Sequence, residues 1–270
     1  MKILIVSLAT LLLFVACSKK KEVEVVKLTA APALNADSAS LAIANQMMEA
    51  MGGQKAFNDA RYIRFDFVVA RRRVPSVRHA HLWDKWTGRY RVEGKMRDGK
   101  SYAVLFNDVN KKSGEAYLDS QKVTADSTLQ KQLDYGYGRF INDTYWLIMP
   151  WKIKDPGVTL KYEGSSKDES GIEHDIVHLS FSDVGLTPKD HYWVYINKTT
   201  HLMDRWKFVL NGDSTETGDY LWEEWKDFNS IKLSVLKSAM AADNFIRMEN
   251  VSVSDAIDES LFTDFSKPLH

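Results

Sequence analysis

From Tyr62 onward the apolar residues recur at every second position, and this feature limits the chain to a fold built from half-buried strands. Ile63, Phe65, Phe67 and Val69 alternate with Arg64, Asp66 and Val68. Tyr90 and Val92 alternate with Arg89, Arg91 and Glu93, and Tyr102, Val104 and Phe106 form a further set. Val177, Leu179 and Phe181 repeat the pattern, as do Tyr192, Val194 and Ile196, and Trp206, Phe208 and Leu210. Residues 217–240 and 247–254 supply three more strands. A period of two puts successive side chains on opposite faces of a sheet, so each strand has one face to bury. Asp98-Gly99, Asn197-Lys198 and Asn211-Gly212 mark turns between strands. The predicted fold class is mainly β (α+β): a half-open antiparallel β-barrel of about ten strands with covering helices.

Two segments break the alternation. Residues 38–51 read as a helix, capped by Asp37 or Ser38 and stopped by Gly52-Gly53. Its apolar stripe is Leu41, Ala44, Met48 and Met51, joined by Ile43 and Met47. In residues 126–143, Leu129, Leu133, Phe140 and Ile141 recur at helical spacing, and Gly136 and Gly138 interrupt that helix. Tyr145-Trp146-Leu147-Ile148-Met149-Pro150-Trp151 follows, a dense apolar run between two groups of strands. Its position predicts a crossing over an end or an open face of the sheet. Pro150 fixes the local φ and stops a helix or strand there. Phe140, Trp146, Met149 and Trp151 are the candidate ligand-binding residues, expected to line or lid the mouth of the barrel. The two glycines either permit a hinge or mark a turn.

The N-terminus is a targeting segment. Lys2 precedes an apolar run from Ile3 to Val15, too short for a membrane span, which needs about 20 residues. The chain's only cysteine, Cys17, stands where that run ends, after the small Ala16 and before Ser18 and three lysines. This arrangement resembles the bacterial lipoprotein signal. The resemblance implies a signal peptide over residues 1–16, an acylated Cys17, and a tether over residues 17–37 ahead of a domain at 38–270. It also implies membrane association through the lipidated cysteine; Ser18 in place of an aspartate implies the outer membrane, facing the periplasm. Two or three acyl chains make a stable anchor, at about 0.8 kcal/mol per buried methylene. Lys19 to Lys21 form either a solvated charge run or a contact with anionic headgroups.

Composition narrows the function. Thirty-six basic residues balance thirty-six acidic ones, so there is no net positive field to hold a nucleic acid. A lone cysteine excludes a disulfide framework and a cysteine zinc cage. His79 and His81 share one strand face, as do His174 and His178; two such pairs can bind zinc, but their polar neighbours Arg78 and Asp175 favour sheet-surface histidines and no metal. Ser234 and Lys237 match S-x-x-K, yet a strand sets them on opposite faces. Glu223-Glu224 fails as an acid–base pair for the same reason, and no nucleophile elbow or phosphate loop is present. The chain reads as a non-enzyme without cofactors. Its eight Trp, eleven Tyr and twelve Phe either fill a large core or line a ligand cavity. Arg71-Arg72-Arg73 ends the first strand as a solvated edge.

The order of lipobox, tether, helix, strands, central helical insert and strands resembles the LolA/LolB-like superfamily of outer-membrane lipoprotein-sorting proteins, and most nearly its members of unknown function. Three stretches carry the likeness: Met51-Gly52-Gly53 with Ala56-Phe57 leading into Tyr62-Ile63-Arg64-Phe65, the run from Tyr145 to Gly157, and Leu186-Thr187-Pro188 with Tyr192 to Asn197 and Thr200 to Leu202. The likeness covers residues 38–266 and none of its motifs is catalytic. It implies a half-open barrel that holds an acyl chain or another hydrophobic ligand, in the manner of a lipid or lipoprotein carrier. The alternative is a non-catalytic structural or protein-interaction module of the envelope.

Overall fold

The computed structural model of the protein describes residues 33–181, 189–212, 215 and 217–269. Cys17, the segment 1–16, most of the tether and Leu186-Thr187-Pro188 lie outside the described residues. A short strand β1 (Asn35–Ala36) precedes α1 (Ser38–Ala50) and α2 (Gly53–Asp59). A first meander follows: β2 (Tyr62–Arg71), β3 (Val74–Asp84), β4 (Tyr90–Lys95), β5 (Ser101–Asp108), β6 (Ser113–Leu118) and β7 (Gln121–Lys122). The long helix α3 (Asp126–Ile148) then leads through a 3₁₀ turn at Met149–Lys152 into a second meander. That meander is β8 (Val158–Lys167), β9 (Glu173–Phe181), β10 (His191–Asn197), β11 (Met203–Val209), β12 (Gly218–Phe228), β13 (Ile231–Ala239) and β14 (Asn244–Ser254).

All fourteen described strands belong to one sheet, in the order β1-β8-β9-β10-β11-β12-β13-β14-β2-β3-β4-β5-β6-β7. The two meanders are joined where β14 pairs antiparallel with β2, from Asn244 opposite Arg71 to Ser254 opposite Tyr62. The sheet does not close, and β1 and β7 are its edges. The half-open sheet with helices is as expected, but it holds more strands than alternation revealed. β1 and β7, two residues each, are too short to show a period of two, and the strand that carries His79 and His81 turns them to the core rather than to solvent.

One face of the sheet, here called inner, is covered by helices. Asp37 caps α1 by accepting from Ser40 N at 2.8 Å, and its other oxygen accepts from Tyr162 N of β8 at 2.8 Å, so one carboxylate starts the helix and ties it to the sheet. α1 buries Ile43, Ala44, Met47 and Met48; Leu41, expected on that stripe, is exposed. Gly52 takes φ 117°, and a Cβ there would come within 2.2 Å of the Ser230 carbonyl, so only glycine fits this turn. The stretch of α3 from Leu133 to Phe140 packs these two side chains on Tyr90, Val92, Tyr102, Val104 and Phe106. Its end joins the main core, where Trp151 stacks on Phe57 with ring centroids 4.6 Å apart.

The outer face of β2–β4 is covered by residues 255–269. Leu269, Phe262 and Leu261 pack on Tyr62, Ala80 and Leu82. Arg91, fully buried, donates to Glu93 Oε2 at 2.8 Å and to the Leu261 carbonyl at 2.9 Å, while Leu269 N donates to Glu93 Oε1 at 2.7 Å. Nearby, Asp84 accepts from Arg61 Nη2 at 3.1 Å and Arg89 Nη2 at 3.0 Å and holds the β3–β4 turn. At the opposite end Arg72 and Arg73 form the solvent-exposed β2–β3 turn with φ of 48° and 64°.

Gly136 and Gly138 do not interrupt α3, which runs unbroken through both. A Cβ on Gly136 would sit 2.9 Å from Val104 Cβ and 3.1 Å from Phe106 Cε2, so this glycine lets the helix lie close on β5. Nothing lies within 4 Å of the corresponding position on Gly138. Opposite effects are therefore expected in urea unfolding. Gly136→Ala should destabilise through overpacking that costs about 1–3 kcal/mol, more than the helix-propensity gain, while Gly138→Ala should stabilise by about 0.5–1 kcal/mol.

Asp84 supplies an acid-sensitive contribution. Burial alone would raise its pKa from 3.8, but the hydrogen bonds from Arg61, Arg89 and Thr87 outweigh burial and bring it down to about 2. A depressed carboxylate stabilises the fold above its ordinary pKa, and that stability is lost as pH falls through about 2. Between those two pH values the wild type should lose about 2 kcal/mol more than Asp84→Asn, read as the difference between their chemical-denaturation curves.

Candidate functional site

The helical period of α3 places Tyr137, Phe140, Ile141, Thr144, Tyr145 and Ile148 along one side, and these residues form one wall of a cleft of about 950 Å³. The other wall comes from the inner face of the second meander. Period-two spacing brings Tyr192 of β10 and Trp206 and Phe208 of β11 to that face. The aromatic rings interlock: Trp146 lies 4.8 Å from Trp206 and 4.9 Å from Tyr220, and Trp206 lies 5.2 Å from Tyr192 and from Phe208. Edge-on and tilted contacts of this kind are the favoured arrangements of aromatic pairs.

Polar groups also line the cleft. Asp190, buried, accepts from Tyr192 Oη at 3.0 Å and from Asn211 N at 2.8 Å. Lys152 is paired with Asp155. Burial first, and then the charges of Asp155 and Asp190, push the Tyr145 hydroxyl well above its ordinary pKa, so it stays a neutral donor. Trp206 Nε1 is a buried donor with no hydrogen-bond partner. Among the described residues lining the cleft there is no histidine, serine or cysteine.

The sequence-derived candidates divide between two places. Phe140 and Trp146 line the cleft. Met149 and Trp151 are buried in the main core, Trp151 with its ring on Phe57 and its Nε1 donating to the Lys232 carbonyl at 3.3 Å. Alternation alone read Trp206 and Tyr192 as ordinary strand residues, yet they form the far wall. Cys17 lies outside the described residues.

A second, more polar recess of about 1000 Å³ opens at the other side of α3, lined by His79, Tyr102, Tyr135 and Arg139 among others. Here the surface-histidine expectation is corrected. His79 and His81 are buried because α3 lays Asp143 over them. His79 Nδ1 is 2.7 Å from Asp143 Oδ2, and His81 Nε2 is 3.2 Å from the same oxygen. Burial would raise the Asp143 pKa, but the two imidazoles hold it well below the carboxylate range. Burial also holds His81 below the ordinary imidazole range, so it is neutral at neutral pH. Asp143 was missed because it was not placed on the stripe Leu133, Gly136, Phe140, Leu147, where it falls at i+3 from Phe140.

The other pairings do not assemble. His174 bonds Asp204 at 3.0 Å and His178 bonds His191 at 2.9 Å, so these two histidines take separate partners and neither joins His79 and His81. Lys237 is fully buried, 4.4 Å from the centre of the Trp222 ring, and donates to the Ser234 carbonyl at 2.6 Å. Burial pushes its pKa well below the ordinary lysine range. Ser234 Oγ donates instead to the Glu223 carbonyl at 2.7 Å, so the amine does not activate the hydroxyl.

No protein-family model matches the chain, and no curated protein matches it in sequence. Solved structures similar to it include a DUF1329 family protein from Desulfovibrio piger, with 10% identity, covering 83% of this chain and 96% of that one at a TM-score of 0.46. An outer membrane lipoprotein-sorting protein domain from Vibrio parahaemolyticus shows 7% identity over 83% of this chain and 96% of that one, at 0.43. An uncharacterized conserved protein from Thermus thermophilus shows 9% identity over 84% and 94%, at 0.30.

Proposed function

We propose that this chain is an outer-membrane lipoprotein, anchored through acylated Cys17 and facing the periplasm, that holds an acyl chain or a similar hydrophobic ligand between α3 and β10–β11. The observation that carries the reading is the aromatic cleft, whose 950 Å³ lies within the range of small-molecule sites. Transfer of an acyl chain from water to such walls is favourable by about 25 cal/mol per Å² of apolar area. The interaction-module reading calls for a closed, fully packed barrel, and the sheet is open.

Binding of a fluorescent acyl ester tests the cleft. Trp146→Ala should weaken it by about tenfold or more, from about 1.5–3 kcal/mol of lost burial. Trp193→Ala should leave it unchanged, because Trp193 points to the opposite face of β10 and donates to Glu163 at 3.0 Å. Equal weakening in both variants, or no binding by the wild type, sinks the assignment.

The anchor is tested separately. Cys17→Ala removes the only thiol, so metabolic labelling with a fatty-acid analogue should disappear and the precursor should stay uncleaved. Unchanged labelling of the variant would refute the anchor and leave the cleft untouched.

A further inference from the structure

We propose that His79, His81 and Asp143 form a binding site for a zinc-like divalent cation, held by two imidazole nitrogens and one carboxylate oxygen beneath α3. The three donor atoms gather within 4.8 Å of one another, and all three residues are buried. The set combines neighbours on one strand face with a residue from a helix, so the packing of α3 on β3 brings it together.

Three observations distinguish this arrangement from an ordinary hydrogen-bonded core. First, His81 Nε2 is buried and has no hydrogen-bond partner, although it is 3.2 Å from Asp143 Oδ2. The two atoms approach without hydrogen-bond geometry, as two ligands of one ion do. Ligand atoms around a tetrahedral ion with bonds of about 2.0–2.1 Å lie about 3.3 Å apart. The 2.7 Å between His79 Nδ1 and Asp143 Oδ2 would open by a few tenths of an ångström on loading.

Second, the other nitrogen of His81 is engaged by the Tyr90 hydroxyl. When Nδ1–H donates to that oxygen, the Nε2 lone pair points to the ion, the outer-shell arrangement that orients metal-bound imidazoles. Third, no lysine or arginine is ion-paired with Asp143 among the described residues; its remaining contact is Asn142 Nδ2 at 2.7 Å. A divalent ion seated among the three would take over from the imidazoles as the partner of this carboxylate.

Of the three residues, His79 borders the polar recess. Tyr102, 6.2 Å edge-on from His79, carries a buried hydroxyl with no hydrogen-bond partner. The fourth position falls to water or an oxygen ligand supplied from that recess. This site is separate from the aromatic cleft and does not depend on it.

The test uses the full chain in detergent, stripped with a chelator and titrated with Zn²⁺ and with Co²⁺. Expected results are one equivalent of zinc per chain, a rise in melting temperature that the chelator reverses, and the visible bands of tetrahedral cobalt. Asp143→Asn keeps the side-chain shape and His81→Gln keeps a polar group; each should weaken zinc at least tenfold and abolish the cobalt bands. His178→Ala, in the separate His178–His191 pair, should change neither. A wild-type chain that binds no stoichiometric zinc overturns the proposal without recourse to any variant. Binding that survives both site variants, or that is lost in His178→Ala, overturns it as well.

Discussion

An open sheet with an apolar inner face cannot stand in water without a cover, and the rest of this molecule follows from how that cover is supplied. Closure would let the face bury itself; here β1 and β7 stay apart as free edges. α3 takes up the task across the strands of both meanders. Its seat depends on small and polar residues as much as on apolar ones. Gly136 removes a methyl group so that the helix axis can approach β5, and Asp143 meets two imidazoles that would otherwise be buried polar groups facing hydrocarbon.

A single rod-shaped helix cannot fill the hollow of a curved sheet evenly. Where it lies close, over β4–β6, the side chains form a packed cluster. Where it stands off, beside β10 and β11, the rings of Trp146, Tyr192, Trp206 and Phe208 leave the cleft between them. The aromatic excess therefore does both jobs allowed by composition: the same large side chains that bulk out the core also form the walls of the hollow that α3 leaves.

Much of the fold was legible because alternation survives wherever one face meets water. β2, β4, β5 and β9–β14 carry that pattern, and Asp37, Gly52 and the Asn-Gly and Asp-Gly turns punctuate it. The missing strands were lost for physical reasons. β1 and β7 are too short to show a period, and in β3 the polarity of the histidines pointed to solvent although they face the core. The cleft was half legible: Phe140 and Trp146 stood out in a dense apolar run, whereas Met149 and Trp151 shared that run but turn into the core after the helix ends. Trp206 looked like any inward strand residue because its exposure to a cavity depends on the distance to α3, which no local pattern encodes. Asp143 had a readable sign, an acid on the apolar stripe of a helix, but its partners lie more than sixty positions away in β3.

The pairing of β14 with β2 has a kinetic meaning. These strands are separated by the whole of both meanders, so the contact that unites the sheet has a very large loop to close. Until β14 arrives, β2 presents a bare row of amide groups on a hydrophobic strand, a template for another chain's backbone. Each meander is a set of local hairpins that can form early, but their union waits for the last long strand to be made. A chain interrupted before Asn244 would therefore hold two half-sheets with sticky borders, and its hazard would be association with its own kind rather than simple unfolding.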